Sequence, residues 1–236
     1  MKKLSLLFTK DGLQWHISKG KTVLEEAFYF VTEETSPHLV EEKLDDVLKF
    51  DDYKEIEVIS ALNHFSLTPD SFTEHELGYK LISYNAPVDE ANEELMLSVN
   101  KRFAVQFYYT FPKHFYQKIK AKKLPTKFNF SGEKFLNALT VKNHKEIHIN
   151  LYHHQVEFFA FENKKVVLYN NLDADSEVDF LYFIMFSLSK INFGTAETYF
   201  HIYGETHENE TFISELKKFV KNIKLKDAGC WMLDVK

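Results

Sequence analysis

Residues 4–15 read LSLLFTKDGLQW and residues 147–158 read IHINLYHHQVEF. A constant step of 143 in the numbering superimposes them: Leu4 on Ile147, Leu6 on Ile149, Phe8 on Leu151, Leu13 on Val156 and Trp15 on Phe158. Around a short break in each copy, apolar residues recur at every second position, as in two half-buried strands joined by a turn. Asp11-Gly12 in the first copy is a strong hairpin signal, because a tight turn between twisted strands needs residues that accept a positive φ. The same step carries Val23 onto Val166 in a third strand and Ile56 onto Tyr199 in a returning strand. One unit is therefore expected twice, in the order hairpin, third strand, helix, strand.

This pattern predicts an α/β protein with mixed sheets and two lobes, residues 1–143 and 144–236. Strands and helices inserted around 64–140 enlarge the first lobe. Ser36-Pro37 reads as a helix start, with Ser at the N-cap and Pro at the first position. Thr68-Pro69-Asp70 reads the same way. Short strands are expected at Leu81–Tyr84, Leu95–Val99 and Phe103–Tyr109, and a helix over Pro112–Lys122. In the second lobe Ser176 can cap a helix, with Asp179 as an acidic variant of the capping box. That helix runs to about Ile191 and is apolar on nearly every side, which predicts burial all round. Phe212, Leu216, Phe219 and Ile223 form the stripe of a last amphipathic helix. Gly229–Val235 reads as a final strand.

The composition narrows the function. A chain of 236 residues with 44% hydrophobic content can build a full core without staples. Its net charge of −6 disfavours nucleic acid, which is held by Lys and Arg. The basic run Lys118 to Lys123 is explained as a solvated helix end, where cations suit the dipole. Cys230 is the single cysteine, so neither an internal disulfide nor a thiolate metal cluster can form. The start Met1–Phe8 is basic then apolar, but the apolar run is too short for a signal peptide and Asp11 follows it. No apolar run approaches the ~20 residues a membrane span needs. A cytoplasmic protein is expected.

Three stretches carry a family resemblance: Val167-Leu168-Tyr169-Asn170-Asn171, then Ser176 to Leu188, then Tyr199 to Glu205. With the twice-repeated unit they resemble the actin-like ATPase fold, a duplicated ribonuclease H-like design. The second half is most similar to a family of bacterial proteins of unknown function, typical of Bacteroidetes. Residues 65–72, FSLTPDSF, resemble the first lobe of the actin-like assembly proteins of type IV pilus systems. The resemblance implies two lobes, each with a mixed sheet of about five strands flanked by helices.

The resemblance also implies what an active site would contain. Each hairpin would carry an acid and glycines, with backbone N–H groups on phosphates and the acids on Mg²⁺ through water. Asp11 and Gly12 match by type, although a plain hairpin turn explains them without a ligand. His154 and Gln155 stand at the equivalent positions of the second copy and supply neither group. Gly204 and Glu205 lie where relatives place a nucleotide-contacting turn, but a lone glycine is a weak signal and a simple strand end explains them better. The chain holds 7 glycines, few for phosphate-cradling loops. ATP with Mg²⁺ is thus conceivable but unsupported, and no cofactor or catalytic residue is expected.

No metal site is expected either. His144 and His148 are four apart but separated by a strand start, and His153 and His154 point apart. Asp173, Asp175, Glu177 and Asp179 lack the glycine and closing Glu of a calcium loop, and they suit a helix N-terminus. The reading that follows is a non-catalytic actin-like protein that binds a protein or peptide. Its alternatives are a diverged nucleotide-binding ATPase or kinase-like enzyme, and a structural homodimer.

Overall fold

The computed structural model describes residues 2–226, apart from 33, 37, 51, 175 and 208. The chain divides into two compact units, residues 2–137 and 138–226 of the described chain.

The first unit runs β1 (Lys2–Thr9), β2 (Gly12–Lys19), β3 (Thr22–Phe30), α1 (Leu39–Leu48) and β4 (Tyr53–Ser60). It continues with β5 (Phe65–Pro69), a 3-10 turn (His75–Leu77), α2 (Gly78–Ser83), β6 (Glu93–Asn100), β7 (Val105–Pro112), α3 (Lys113–Ala121), β8 (Thr126–Phe130) and α4 (Ser131–Ala138). Its main sheet has the order β3-β2-β1-β4-β8, and β5-β7-β6 form a separate three-stranded sheet. The meander β1-β2-β3 is antiparallel, while β4 is parallel to both β1 and β8.

The second unit holds β9 (Glu146–Leu151), β10 (Gln155–Glu162), β11 (Lys165–Asp173), α5 (Glu177–Lys190), β12 (Tyr199–Gly204), α6 (Glu210–Lys217) and β13 (Asn222–Leu225). Its sheet order, β11-β10-β9-β12-β13, repeats that of the first unit strand for strand. The mixed α/β fold is thus present twice.

The step of 143 holds in detail through the meander. It carries the bounds of β2 and β3 onto those of β10 and β11. It also carries the bulge after Ile17 onto the bulge after Ala160. Beyond the helix the step becomes 144. Leu4 pairs with Ile56, whereas Ile147 pairs with Phe200, so Phe200 and not Tyr199 is the counterpart of Ile56. A one-residue slip exchanges the faces of a strand. Accordingly Phe200 is fully buried in the core and Tyr199 is 41% exposed on the opposite face.

Each core lies on one face of its sheet. In the first unit Leu4, Leu6, Phe8, Leu13, Trp15, Ile56 and Val58 pack with Leu44 and Val47 of α1 and Ile119 of α3. In the second, Ile147, Ile149, Leu151, Val156, Phe158, Phe200 and Ile202 pack with Phe180 and Ile184 of α5 and Leu216 of α6. Burying a side chain of this size stabilises by about 1.5–3 kcal/mol.

Several local expectations change. Thr68 and Pro69 end strand β5 instead of opening a helix, because both pair with β7 through Gln106 and Val105. A helix, α2, replaces the strand expected at Leu81–Tyr84. Its Gly78 packs so close to Leu95 and Tyr108 that a Cβ would lie 2.7 Å and 2.9 Å from their side-chain atoms. α1 begins at Leu39, and Ser36 Oγ accepts from the His38 N–H at 3.1 Å. Ser176 caps α5 as expected, accepting from Asp179 N. α5 itself is not buried all round: Phe180, Ile184 and Leu188 face the core, while Val178, Tyr182 and Phe186 are exposed. The last amphipathic helix stops at Lys217, and Ile223 belongs to β13. Pro37, Asp175, Cys230 and the strand expected at Gly229–Val235 lie outside the described residues.

Candidate functional site

The first hairpin tip explains its own glycine. Gly12 has φ +148°, and a Cβ on it would lie 1.9 Å from the carbonyl oxygen of Tyr29 in the adjacent strand. The tip is tied to that strand's end by Val31 N–H donating to the Asp11 carbonyl at 2.6 Å. Asp11 is buried, 6% exposed. The second tip keeps the same backbone bond, Ala174 N–H to the His154 carbonyl at 3.1 Å, with different side chains.

Gly204 and Glu205 sit beside that second tip, at the end of β12. Gly204 pairs with Leu151, has φ +83°, and leaves no room for a side chain: a Cβ would lie 2.2 Å from the Leu151 carbonyl oxygen. Glu205 N–H donates to the same oxygen at 2.9 Å. In the first unit the corresponding bond runs from Ala61 N–H to the Phe8 carbonyl at 2.8 Å, so Ala61 stands where Glu205 does. Asn209 on the following turn donates to the carbonyls of Tyr152 and Glu205, at 3.0 Å and 2.7 Å, and fastens strand end to tip. The structure therefore joins Gly204 and Glu205 to the second hairpin, while Asp11 and Gly12 belong to the first unit.

A different group of side chains meets on the other face of the second sheet. β9 alternates, with Ile147 and Ile149 in the core and Glu146, His148 and Asn150 opposite. β12 alternates in step, and its parallel register sets His201 beside His148. Glu146 and His148 are each 1% exposed and His201 is 9% exposed. The two imidazoles stack at 4.6 Å. One ligand atom from each of Glu146, His148 and His201 lies within 4.8 Å of the others.

The contacts are uneven. Glu146 Oε2 accepts from Lys142 N–H at 2.9 Å and lies 3.4 Å from His148 Nε2. Oε1 lies 2.9 Å from His144 Nε2 and 3.4 Å from His201 Nε2, in both cases without hydrogen-bond alignment. His148 Nδ1 is 3.0 Å from the Tyr203 hydroxyl. Among the described residues neither ring nitrogen of His201 has a hydrogen-bond partner. A buried polar group left in that state costs about 1–3 kcal/mol.

The same environment sets the charges. Burial alone raises the Glu146 carboxyl, but the His148 contact, the Lys142 N–H and the adjacent imidazoles outweigh it and hold it at about 2. Burial, with help from His148 and Lys226, pushes His201 down to about 4. Burial also lowers His148, against the pull of Glu146. Burial and then the Glu146 charge raise the Tyr203 hydroxyl to about 12. At neutral pH the group is one carboxylate among neutral imidazoles.

Reading along the chain compares His144 with His148 and His153 with His154, and it misses this group. The signal lies across strands: once β9 and β12 are taken as parallel neighbours, His148 and His201 fall side by side.

The sequence model of a family described as "Protein of unknown function (DUF3822)" matches residues 1–223. The chain belongs to this family. Among solved structures, one similar to this member of the family is a Bacteroides thetaiotaomicron protein with actin-like ATPase fold and unknown function. It has a TM-score of 0.81 at 20% identity, over 95% of this chain and 90% of that one. The PilM-PilN type IV pilus biogenesis complex matches with a TM-score of 0.61 at 9% identity, over 99% and 94%. The cytoplasmic domain of EpsL, an inner membrane component of the type II secretion system of Vibrio cholerae, matches at 0.53 and 8%, over 96% and 86%. At these identities the likeness establishes the actin-like ATPase fold. Comparison with curated proteins returned no match. Among the described residues no helix is long and apolar enough to cross a membrane.

Proposed function

We propose that this protein is a non-catalytic member of the actin-like fold that binds a protein or peptide in the cytoplasm. The observation that carries the reading is the exposed face of α5. Val178, Tyr182 and Phe186 are 73%, 59% and 46% exposed and recur every four residues, which puts them on one stripe. Tyr182 and Phe186 stack at 5.6 Å. Exposed aromatic stripes of this kind mark contact surfaces more than solvent-facing ones.

Two further points support it. Gly12 and Gly204, the glycines a nucleotide site would use, are both required by neighbouring backbone. A neighbour in fold, PilM, is found in complex with a partner, PilN. Affinity capture from the native cell tests the reading. A partner retained by the wild type and lost with Tyr182→Ser/Phe186→Ser supports it; equal recovery by both contradicts it.

A second reading rests on β3, the edge strand of the first sheet, where Val23, Leu24 and Phe28 are 40%, 49% and 41% exposed. An apolar edge can pair with a second copy of the chain. Light scattering that gives a mass near 27.9 kDa at high concentration removes this reading.

A further inference from the structure

We propose that Glu146, His148 and His201 form a binding site for a divalent zinc-type cation that ties strand β9 to strand β12. The proposal is independent of the protein-binding reading and concerns residues to which that reading assigns no role.

The donor set has the right chemistry. Two imidazoles and one carboxylate suit zinc, which takes nitrogen and oxygen ligands in tetrahedral sites. The spacing is close to what such a site needs. Zinc–ligand bonds of about 2.0–2.1 Å place tetrahedral ligands about 3.3 Å apart. Glu146 lies 3.4 Å from each imidazole through a different oxygen, Oε2 to His148 Nε2 and Oε1 to His201 Nε2. All three donors already sit within 4.8 Å of one another, on paired strands that fix their backbones.

The strongest sign is His201. It is 91% buried, its Nε2 lies 3.4 Å from Glu146 Oε1, and neither ring nitrogen makes a hydrogen bond among the described residues. A buried imidazole with no partner is costly, and a cation at this point would use the lone pair. The three donors leave a fourth tetrahedral position for water.

Tyr203 completes the arrangement. For His148 Nε2 to bind a cation, the ring proton must sit on Nδ1, which then donates to the Tyr203 hydroxyl at 3.0 Å. Without a cation, Nε2–H faces Glu146 and the hydroxyl donates to Nδ1 instead. A phenol can fill both roles, so Tyr203 orients the ring in either state, as outer partners of metal-bound histidines do. Lys226 is the opposing feature: its charge acts on both His148 and His201 and weakens any cation.

The test uses the full chain, stripped with a chelator and titrated with Co²⁺ as a spectroscopic probe and with Zn²⁺ by calorimetry. One equivalent of Co²⁺ is expected to give visible bands of tetrahedral type. His148→Gln and His201→Gln each are expected to remove the bands and weaken Zn²⁺ more than about a hundredfold, beyond the cost of losing an outer partner. Tyr203→Phe, an outer-partner change, is expected to weaken it about ten- to a hundredfold. His153→Ala/His154→Ala is expected to change nothing. Absent bands, or bands that survive in both His→Gln variants, overturn the proposal. Should those variants not fold, zinc-edge anomalous diffraction from soaked wild-type crystals decides: a peak between Glu146, His148 and His201 supports the site, and no peak there overturns it.

Discussion

Gly204 lies against Leu151 so closely that a Cβ would come within 2.2 Å of the Leu151 carbonyl oxygen, at a φ of +83°. The glycine that resembles part of a nucleotide turn is thus accounted for by backbone packing. Gly12 against Tyr29 is the same case in the first unit, at 1.9 Å. Gly12→Ala and Gly204→Ala are each expected to destabilise the fold by about 2–4 kcal/mol, combining backbone strain with forced strand separation. Urea unfolding measures this. A loss below half a kcal/mol would mean the glycines are kept for something other than packing.

The change of step from 143 to 144 gives a second test. Phe200→Ala should cost about 3–5 kcal/mol, because it empties a filled core position. Tyr199→Ala should cost under about 1 kcal/mol, since the side chain is 41% exposed and rests on the His144 ring, with centroids 4.3 Å apart. The reverse ranking would restore the uniform step and refute the register.

Much of the fold was legible because a duplicated strand pattern carries its own internal check. β2, β3, β10 and β11 share a period, a spacing and even a bulge, so each copy supports the other. Residues 68–84 misled for a physical reason. Thr-Pro and Ser-Pro pairs favour a helix start locally, but Thr68 and Pro69 complete a strand whose partner lies some forty residues away in β7. α5 misled because apolar composition does not separate a helix buried all round from one with an exposed apolar stripe. The Glu146, His148 and His201 group was hidden because it depends on which strands are neighbours.

α5 offers a clean contrast within one helix. Phe180 is fully buried and stacks on Phe212 at 5.3 Å, whereas Phe186 is 46% exposed. Phe180→Ala should cost about 3–5 kcal/mol and Phe186→Ser under about 0.5 kcal/mol. Thermal unfolding of the two variants checks it, and similar losses would place Phe186 in a core.

A pH dependence follows from Glu57. Burial raises its carboxyl, but Lys134 at 2.8 Å and Lys3 at 2.5 Å outweigh that and hold it below the usual 4.5. Asn129 donates to the same carboxylate at 2.9 Å. Because the folded value lies below the unfolded one, the contribution is present above about pH 4.5 and is lost as pH falls through the lower folded value. Melting temperature followed from neutral pH downward should therefore drop more steeply below about pH 4.5 in wild type than in Glu57→Gln. Parallel curves would show that the charge is not coupled to folding.

Calorimetric titration of the full chain with Mg·ATP tests the non-catalytic reading most directly. No heat at millimolar nucleotide is the result expected of a fold whose Gly12 and Gly204 pack against backbone and whose second tip carries His154 and Gln155. Micromolar binding that disappears in Asp11→Ala would contradict it and return the protein to the nucleotide-binding members of its fold.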